Sequence, residues 1–421
     1  MSIENNSTIE QSRNMPKGNA KSIPKGWVET TLGEVSLINP RENIAKGTLA
    51  PNIPMAFLEA FSKKIQNFEW KKFKGGTKFK NGDTLLARIT PCLENGKTAF
   101  VDILDENEIG FGSTEYIILR EKEKYSDKHF LFYFSISPKF REIAIKLMTG
   151  TSGRQRVQTN SLIEKKFYFP PIEEQKAIAQ ILTAFDDKIE LLQTQNKTLE
   201  TTAQTIFKEW FGKYQIGDEL PEGWRVGKYG KLANHLKESV KPFEHLDKDF
   251  VHYSLPAFDD GLVPIIENGK QIKSNKYAVK NNTILVSKLN PFTPRVWTIF
   301  KAKDNHICST EFQVFEPKKP FYFTFLHSFL NSKFYTREIS KNIQGTSSSH
   351  QRVRPEDILN LKLIIPTDEK IKDFEKTVGS LILKKEINYN QIQTLKQTRD
   401  TLLPKLMSGQ LRVDEFKERA V

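Results

Sequence analysis

The feature that most constrains this 421-residue chain is a set of short residue groups that occur twice, in the same order. Pro24-Lys25-Gly26-Trp27 returns as Pro221-Glu222-Gly223-Trp224, an offset of 197 (221 − 24). Ser113-Thr114-Glu115-Tyr116 returns as Ser309-Thr310-Glu311-Phe312, an offset of 196 (309 − 113). A period of this length indicates a duplicated domain, because the units of solenoid repeats are only about 20–50 residues long. Two copies related by an internal two-fold suit a target that also has two similar ends.

Three further groups repeat at nearly the same offset. These are Arg88-Ile89-Thr90-Pro91 with Lys288-Leu289-Asn290-Pro291, Gly150-Thr151-Ser152 and Gln155-Arg156-Val157 with Gly345-Thr346-Ser347 and Gln351-Arg352-Val353, and Pro170 with Pro366. A long helical pattern follows each of the two prolines. The duplication therefore covers a globular segment and the helix after it.

Composition narrows the class of protein. The net charge of +13 and the pI near 9.3 favour a polyanionic partner. No apolar run approaches the roughly 20 residues that a membrane span needs, so we expect no membrane association. With Cys92 and Cys308 as its only cysteines, the chain does not have the composition of a secreted disulfide scaffold, and we expect it in a reducing cytoplasm.

Each half contains short strand-like runs, such as Thr84-Leu85-Leu86-Ala87, with a helical stretch before the closing strand. We therefore expect an α/β (α+β) fold with two similar domains, each built on a mainly antiparallel, curved sheet. The expected division is a polar, disordered tail 1–22, a first domain 23–170, a first helix 171–212, a second domain 213–366, a second helix 367–408 and a tail 409–421.

After Pro171 apolar residues follow a 4-3-4-3 spacing from Ile178 to Trp210, which is the a/d seam of a coiled coil. A weaker seam lies 196 residues later. It is interrupted by Lys385 and Arg399, and Pro404 is expected to kink or end the helix. We predict that the two helices pair as an antiparallel coiled coil that acts as a rigid spacer; the alternative is that each helix packs on its own domain.

Symmetry predicts the register of this pairing. An internal two-fold gives every facing pair the same sum of residue numbers, and pairing Asn196 with Asn388 gives 584 (196 + 388). A buried amide pair could satisfy its own hydrogen bonds and set the register. The residues predicted to pack in this seam are Ile189, Leu192, Asn196, Leu199, Ile206, Asn388, Ile392, Leu395 and Leu402.

No catalytic constellation assembles in the sequence. Gly96-Lys97-Thr98 resembles the end of a phosphate-binding loop, but Pro91 stands where the first glycine belongs. Asn290-Pro291-Phe292 lacks the second proline of an adenine-methyltransferase motif. The scattered histidines and two cysteines predict no metal site, and no nucleophile elbow is present. The chain is interpreted as a recognition module that is not an enzyme on its own.

The sequence from about residue 23 to 412 resembles the DNA-specificity subunit of type I restriction–modification systems. The motifs that carry the resemblance are the run from Gly82 to Pro91 with Glu94-Asn95-Gly96-Lys97, the element Pro170-Pro171-Ile172-Glu173-Glu174-Gln175, and the ending Ser408-Gly409-Gln410-Leu411-Arg412-Val413. In the second half Thr367-Asp368-Glu369-Lys370 replaces the Glu-Glu-Gln element.

The resemblance implies two target-recognition domains, each followed by a conserved helix, that read double-stranded DNA. It also implies two methyltransferase subunits that bring S-adenosylmethionine, and translocating restriction subunits that bring ATP and Mg²⁺. This chain itself is expected to bind no cofactor. The complex as a whole would methylate adenine and cleave DNA, whereas this subunit would only supply sequence specificity.

The favoured hypothesis is a non-catalytic subunit that reads a bipartite, asymmetric DNA sequence, with one half-site per domain. Three alternatives remain open at this point: a recognition subunit of a methylation-only system, a coiled-coil scaffold that never touches DNA, and an enzyme with an unfamiliar site. The Arg and Gln side chains that follow each Gly-Thr-Ser turn suit bidentate contact with guanine and adenine. The residues predicted to face DNA are Arg88, Lys97, Ser152, Arg154, Gln155 and Arg156 in the first half and Lys288, Arg295, Ser347, Gln351, Arg352 and Arg354 in the second.

The carboxylates of Glu115 and Glu311 are predicted to be structural rather than catalytic. Each follows a Ser-Thr pair just before a strand-like run, where Ser and Thr hydroxyls bond to local backbone groups. A carboxylate aimed at DNA would be repelled unless it accepted a hydrogen bond from cytosine.

Overall fold

The computed structural model describes residues 23–341 and 352–413. Two compact units compose it: the first joins the residues up to Lys188 with those from Lys396 onward, and the second is Ile189–Leu395. The predicted tail 1–22 lies outside the described residues, as do residues 414–421 of the second tail. The boundaries of the units fall inside the two long helices, so the compact units do not follow the sequential division expected from the sequence.

The elements that begin in the first unit are short strands and helices followed by one long helix. In chain order they are β1 (Val28–Thr31), α1 (Leu32–Val35), β2 (Ser36–Ile38), β3 (Leu49–Ile53), β4 (Glu69–Lys72), β5 (Thr77–Phe79), β6 (Thr84–Ala87), β7 (Thr98–Phe100), β8 (Gly110–Gly112), β9 (Tyr116–Glu121), α2 (Lys128–Ile136), α3 (Pro138–Lys146), β10 (Met148–Thr149), β11 (Arg156–Val157), α4 (Thr159–Ile163), β12 (Lys166–Phe169) and α5 (Ile172–Phe211).

A central antiparallel sheet of order β2-β9-β6-β7 organises the first unit. One face, with Leu86 and Ile117, packs on the phenylalanines of α2 and on the start of α5. The other face, with Leu85 and Ile118, packs on a second sheet of order β4-β3-β8-β5. Because both faces are covered, β6 is an unbroken buried run instead of an alternating one.

The second unit repeats this plan. Its elements are β13 (Arg225–Lys228), β14 (Ala233–Leu236), β15 (Ser239–Val240), β16 (Asp249–Tyr253), α6 (Leu255–Asp259), β17 (Ile265–Asn268), β18 (Lys276–Ala278), β19 (Thr283–Ser287), β20 (Val296–Ile299), β21 (His306–Cys308), β22 (Phe312–Pro317), α7 (Phe323–Leu330), α8 (Lys333–Lys341), α9 (Pro355–Leu359), β23 (Lys362–Ile365) and α10 (Asp368–Met407).

The main sheets of the two units correspond, with one strand more, β15, in the second unit. The sheet β14-β22-β19-β20 repeats the central sheet of the first unit, and β13-β23 repeats β1-β12. The additional sheet β15-β18-β21-β16-β17 matches β4-β3-β8-β5, and each of these two sheets contains one parallel pair, β16 with β21 and β3 with β8. The predicted α/β class with two similar, mainly antiparallel domains is confirmed.

The start of α5 shows what the Pro-Pro-Ile-Glu-Glu-Gln element does. Gln175 is buried, its amide nitrogen donates to the carbonyls of Tyr125 and Pro170 (both 3.0 Å), and its oxygen accepts from the Asp127 amide (3.1 Å). Glu174 accepts a hydrogen bond from Trp27 Nε1 (3.1 Å) and pairs with Arg412 (2.8 Å). The element therefore ties the helix to three separate segments of the first unit.

Within the second unit, the last part of α5 and the first part of α10 run antiparallel. Asn388 Nδ2 donates to Asn196 Oδ1 at 3.0 Å, and both side chains are buried. On one side of this amide pair, Ile189 and Leu192 pack with Ile392 and Leu395. The contacts agree with the predicted register. However, Asn196 Nδ2 and Asn388 Oδ1 are buried without a partner among the described residues, so the expected mutual pair of hydrogen bonds is a single bond.

The two cations that were expected to interrupt the second seam are neutralised across it. Lys385 pairs with Glu200 in the second unit. In the first unit Arg399 pairs with Asp186, which also accepts a hydrogen bond from Tyr133 Oη at 2.6 Å. Each cation therefore interrupts the apolar seam, as the sequence indicated, but faces a carboxylate of the other helix, so the pairing is kept.

The remaining seam residues are buried to different extents. Leu199, Ile206 and Leu402 are half-buried, and Leu402 packs beside the buried Leu403 and Leu406 on the core of the first unit. The long helices begin and end within one residue of the bounds 171–212 and 367–408. Pro404 lies in the last turn of α10, and the helix ends three residues after it, at Met407.

The buried amide pair gives a first prediction. Replacing Asn388 by Leu leaves the Asn196 amide buried without its partner, and we expect the free energy of unfolding to fall by about 1–3 kcal/mol. The double variant Asn196→Leu/Asn388→Leu should recover most of this loss. Urea unfolding followed by circular dichroism measures both, with Gln193→Leu on the exposed face of α5 as the control. An unchanged midpoint for Asn388→Leu would contradict the role of the pair.

Candidate nucleic-acid interface

The predicted DNA-facing residues of the first unit meet where β6 ends. The chain leaving β6 forms a bridge between Ile89 and Arg156, and the Val157 amide donates to the Arg88 carbonyl at 2.8 Å. The Thr90 amide donates to the Gln155 carbonyl at 3.0 Å. These backbone bonds bring the loop after β6 and the loop before β11 side by side. Residues 88 and 154–156, which the sequence places far apart, therefore share one surface.

A carboxylate lies between two arginines on this surface. Arg156 donates from Nε and Nη2 to both oxygens of Glu115, at 2.8–3.0 Å. Arg88 Nε lies 3.6 Å from Glu115 Oε2 on the other side. The hydrogen bonds and charge of Glu115 hold the pKa of Arg156 above its ordinary value. Because one carboxylate is shared by two guanidinium groups, the cluster keeps a net charge of about +1.

The second unit contains the same arrangement. Leu289 forms a bridge with Arg352, and the Val353 amide donates to the Lys288 carbonyl at 2.9 Å. Arg352 Nη1 lies 3.4 Å from Glu311 Oε1, and Lys288 Nζ donates to the Thr310 carbonyl at 2.5 Å. Burial lowers the pKa of Lys288, whereas the charge of Glu311 opposes this shift. A cation, a carboxylate and an arginine thus recur at equivalent positions of both units.

The Ser-Thr-Glu groups supply the carboxylates of both clusters. Ser113 Oγ accepts a hydrogen bond from the Glu115 amide at 3.1 Å, and Ser309 Oγ accepts one from the Glu311 amide at 3.3 Å. These are the local backbone bonds that the sequence predicted. The ion pairs with Arg156 and Arg352 were not predicted, because 41 residues separate each arginine from its carboxylate.

The other predicted residues fall into two groups. Ser152, Arg154 and Arg354 are exposed, Gln155 is half-buried, and no hydrogen bond or ion pair holds the Arg154 side chain within the described part of the chain. Lys97 and Arg295 are tied down: Lys97 Nζ donates to the Met55 carbonyl at 2.9 Å, and Arg295 forks onto Asp259 at 2.7 and 2.9 Å. Ser347 and Gln351 lie outside the described residues.

These contacts change which residues can reach a base directly. A guanidinium that binds a carboxylate through Nε and Nη2, as Arg156 and Arg295 do, keeps only the edge formed by its two Nη groups for a second bidentate contact. The carboxylate also fixes its orientation, so Arg156 and Arg295 are less adaptable than the sequence suggested. Arg352 is intermediate, since its ion pair with Glu311 is 3.4 Å long and its side chain is 58% exposed. In the first unit, Arg154 is the exposed guanidinium beside the paired one.

Among the described residues no three His, Cys, Asp or Glu side chains are grouped so that they could hold a metal ion. Cys92 and Cys308 are both free thiols, and burial raises the pKa of Cys308 to about 12. No helix within residues 23–341 and 352–413 is long and apolar enough to cross a membrane. The guanidinium and ammonium groups of the two clusters can contact an anionic ligand.

The family model that matches this chain matches it twice, once in each repeat. The family model described as the type I restriction modification DNA specificity domain matches residues 24–201 and again residues 221–397. The type I restriction enzyme MjaIX specificity subunit of Methanocaldococcus jannaschii is 26% identical over 324 residues, which cover 68% of this chain and 69% of that protein. The EcoAI specificity subunit of Escherichia coli is 32% identical over 210 residues, covering 48% of this chain and 36% of that protein.

A solved structure shares the fold. The crystal structure of a type I restriction–modification S subunit from M. genitalium superposes with a TM-score of 0.61 at 16% sequence identity. The match covers 91% of this chain and 99% of that one. At 16% identity this similarity shows a shared fold and nothing more.

The two adjacent arginines of the first unit give a second prediction. Arg154→Ala should weaken DNA binding by about 1–3 kcal/mol if the side chain contacts a base, without lowering the unfolding temperature. Arg156→Ala should lower the unfolding temperature as well, because it leaves Glu115 without its fork. Fluorescence anisotropy and thermal unfolding separate the two effects, and Lys166→Ala removes an exposed cation elsewhere as a control. Equal DNA binding by Arg154→Ala and the unaltered chain would remove Arg154 from the interface.

Proposed function

Since this chain belongs to the type I restriction modification DNA specificity family, we propose that it reads a bipartite, asymmetric DNA sequence with one half-site for each unit. It does this for a complex whose other subunits methylate and cleave the DNA. The chain itself carries out no catalysis. S-adenosylmethionine, ATP and Mg²⁺ enter with those other subunits, and the complex works in the cytoplasm.

The observation that carries the proposal is the repeated cluster of a cation, a carboxylate and an arginine. Arg88, Glu115 and Arg156 in one unit match Lys288, Glu311 and Arg352 in the other. In both units a bridge joins the chain that leaves a central strand to the cluster arginine, Ile89 to Arg156 and Leu289 to Arg352. Base contacts depend on the side chains of the loops. Two units that recognise different half-sites can therefore share the same ion cluster while their loops differ in sequence.

Two alternatives make different predictions. A coiled-coil scaffold that does not touch DNA would show no sequence preference and little dependence of DNA affinity on salt. A recognition subunit of a methylation-only system would bind the same DNA but would never support cleavage. The positive charge of the chain and the exposed cations of the two loops favour a DNA reader over a scaffold.

The proposal gives a third prediction. Deleting the gene for this chain should remove methylation of adenine at one bipartite motif in the host genome, and restoring it should return the same motif. In vitro, the logarithm of the affinity for that motif should fall linearly with the logarithm of salt concentration, by about 0.9 for each phosphate contacted. A scrambled duplex is the matched control. A motif that persists after deletion, or equal affinity for both duplexes, would refute the proposal.

The partners of this chain are proposed to be two copies of one methyltransferase subunit, together with restriction subunits. Leu191 on α5 and Ile387 on α10 occupy equivalent positions of the two repeats (387 − 191 = 196). They are 48% and 49% exposed, respectively. An exposed apolar side chain at the same place on both copies of a duplicated helix suits two identical partners, because the buried core of an interface is more apolar than the rest of a protein surface.

This pairing of sites gives a fourth prediction. Leu191→Asp and Ile387→Asp should each reduce the number of bound methyltransferase subunits from two to one, and the double variant should bind none. Analytical ultracentrifugation of the assembled complex counts them. Leu246→Asp, at a 54% exposed leucine outside the helices, is the control and should leave two subunits bound. Two bound subunits on the double variant would place the docking surface elsewhere.

A further inference from the structure

Each unit exposes one phenylalanine at the tip of the hairpin that follows its central strand. Phe292 in the second unit is 56% exposed, and Phe61 in the first unit is 50% exposed. Single exposed apolar residues are common on protein surfaces and need no explanation by themselves. These two differ because each lies on the hairpin whose first residue, Arg88 or Lys288, belongs to the repeated ion cluster, and because the surrounding structure holds each of them in place.

Phe292 lies on a short turn between β19 and β20. The Thr293 amide donates to the Asn290 carbonyl at 3.0 Å, and Asn290 has a φ of +52°. Arg295 anchors the far side of the turn. Its guanidinium binds both oxygens of Asp259, and its carbonyl accepts a hydrogen bond from the Ser287 amide at 2.9 Å. Leu289, three residues before Phe292, bridges to Arg352. The ring is therefore presented from a braced turn, three residues after the one that bridges to Arg352.

Phe61 reaches the equivalent hairpin from a different segment. Its amide donates to the Gly96 carbonyl at 3.0 Å, and Ala60 bridges to Lys97, so it lies on the tip between β6 and β7. Its φ of +55° is uncommon for a residue with a side chain and is held by these contacts. A Cβ added to Gly96 would come within 2.6 Å of the ring, so only glycine leaves room for it. The Arg141 guanidinium lies 4.9 Å from the ring centroid.

We propose that Phe292 and Phe61 each read a thymine of their own half-site through contact with its 5-methyl group. This inference rests on the proposed function, since it adds a reading chemistry to the same DNA-facing surfaces. A phenyl ring has no hydrogen-bond donor or acceptor, so it contributes nothing to the recognition of polar base edges. The 5-methyl group of thymine is the apolar group that a base presents in the major groove, and phenylalanine is among the side chains that contact it.

The surroundings favour DNA over a protein partner as the occupant. Arg352 and Lys288 lie beside the turn of Phe292, and Arg88, Lys97 and Arg141 lie beside Phe61 or on the same hairpin. Such cations suit a phosphate-rich ligand. Other exposed aromatic or apolar side chains, such as Trp70 on β4 and Ile266 on β17, lie on edge strands that take no part in the clusters.

The two rings come from different segments of their units. Phe292 belongs to the hairpin tip itself, whereas Phe61 comes from the segment between β3 and β4 and rests on the tip. Two rings carried by different segments are placed differently relative to their clusters. The two half-sites would therefore carry their methyl contact at different positions, in line with an asymmetric target.

The test combines a change in the protein with a change in the DNA. Once methylation mapping has given the target, each thymine of a half-site is replaced in turn by deoxyuridine, which removes only the methyl group. The full chain, assembled with the methyltransferase subunits of its system, is titrated against these duplexes by fluorescence anisotropy. At one thymine of each half-site we expect affinity to fall about three- to fourfold, the effect of exposing one buried methyl group.

The variants show whether the phenylalanine makes that contact. Phe292→Ala should bind the thymine duplex at least threefold more weakly, but should no longer distinguish thymine from deoxyuridine in the second half-site. Phe61→Ala should behave in the same way in the first half-site. Phe292→Leu should keep part of the preference because it keeps an apolar side chain. Phe243→Ala and Trp70→Ala, which remove exposed rings elsewhere in each unit, should retain the full preference.

Several outcomes would overturn the inference for the unit concerned: a half-site without thymine on either strand, an undiminished thymine preference in the alanine variant, or a variant that loses only its partner subunits. The proposed function fails separately. In that case the unaltered complex would bind the target and a scrambled duplex equally, whatever residue stands at positions 61 and 292.

Discussion

The antiparallel pairing of α5 with α10 is the contact on which both units depend. In the second unit it joins Asn196 to Asn388 and Glu200 to Lys385, with residue-number sums of 584 and 585 (196 + 388, 200 + 385). In the first unit it joins Asp186 to Arg399, again with a sum of 585 (186 + 399). Each central sheet packs against these helices through aromatic side chains, such as Phe130 in the first unit and Phe325 in the second. Without the paired helices both cores would be open on one face.

The charges in this seam select the partner helix. Both carboxylates, Asp186 and Glu200, belong to α5, and both cations, Lys385 and Arg399, belong to α10. Only pairing of α5 with α10 brings opposite charges together, whereas pairing of like helices would bury charges without a counter-ion. Half-buried ion pairs contribute little net stability, but removing one partner is costly, so they act against wrong pairings more than they strengthen the right one.

Much of this architecture could be predicted from the sequence, because the long helices have a strong local signal. Heptad spacing predicted two long helices, and the symmetry of the repeat predicted the register of Asn196 and Asn388. The sequence could not show that Lys385 and Arg399 face carboxylates, since those lie about 200 residues away. The contacts at the candidate nucleic-acid interface were predicted less well for the same reason. Arg156 is held by Glu115, and Phe61 is placed on Gly96, through contacts between segments that only the folded sheet brings together.

The start of each long helix is anchored to its own unit by different side chains in the two repeats. In the first unit Gln175 bonds three backbone groups and Glu174 holds Trp27 and Arg412. In the second unit Asp368 accepts a hydrogen bond from Tyr322 Oη (2.6 Å) and pairs with Lys319, and Lys370 lies 3.9 Å from the Trp210 ring centroid. The motif is lost but the anchoring of the helix to the domain is not. Burying the start of a helix requires contacts that hold it against the domain but not one particular set of side chains, so a polar hub around Gln175 and Glu174 in one unit and an ion pair with Asp368 in the other give the same anchoring.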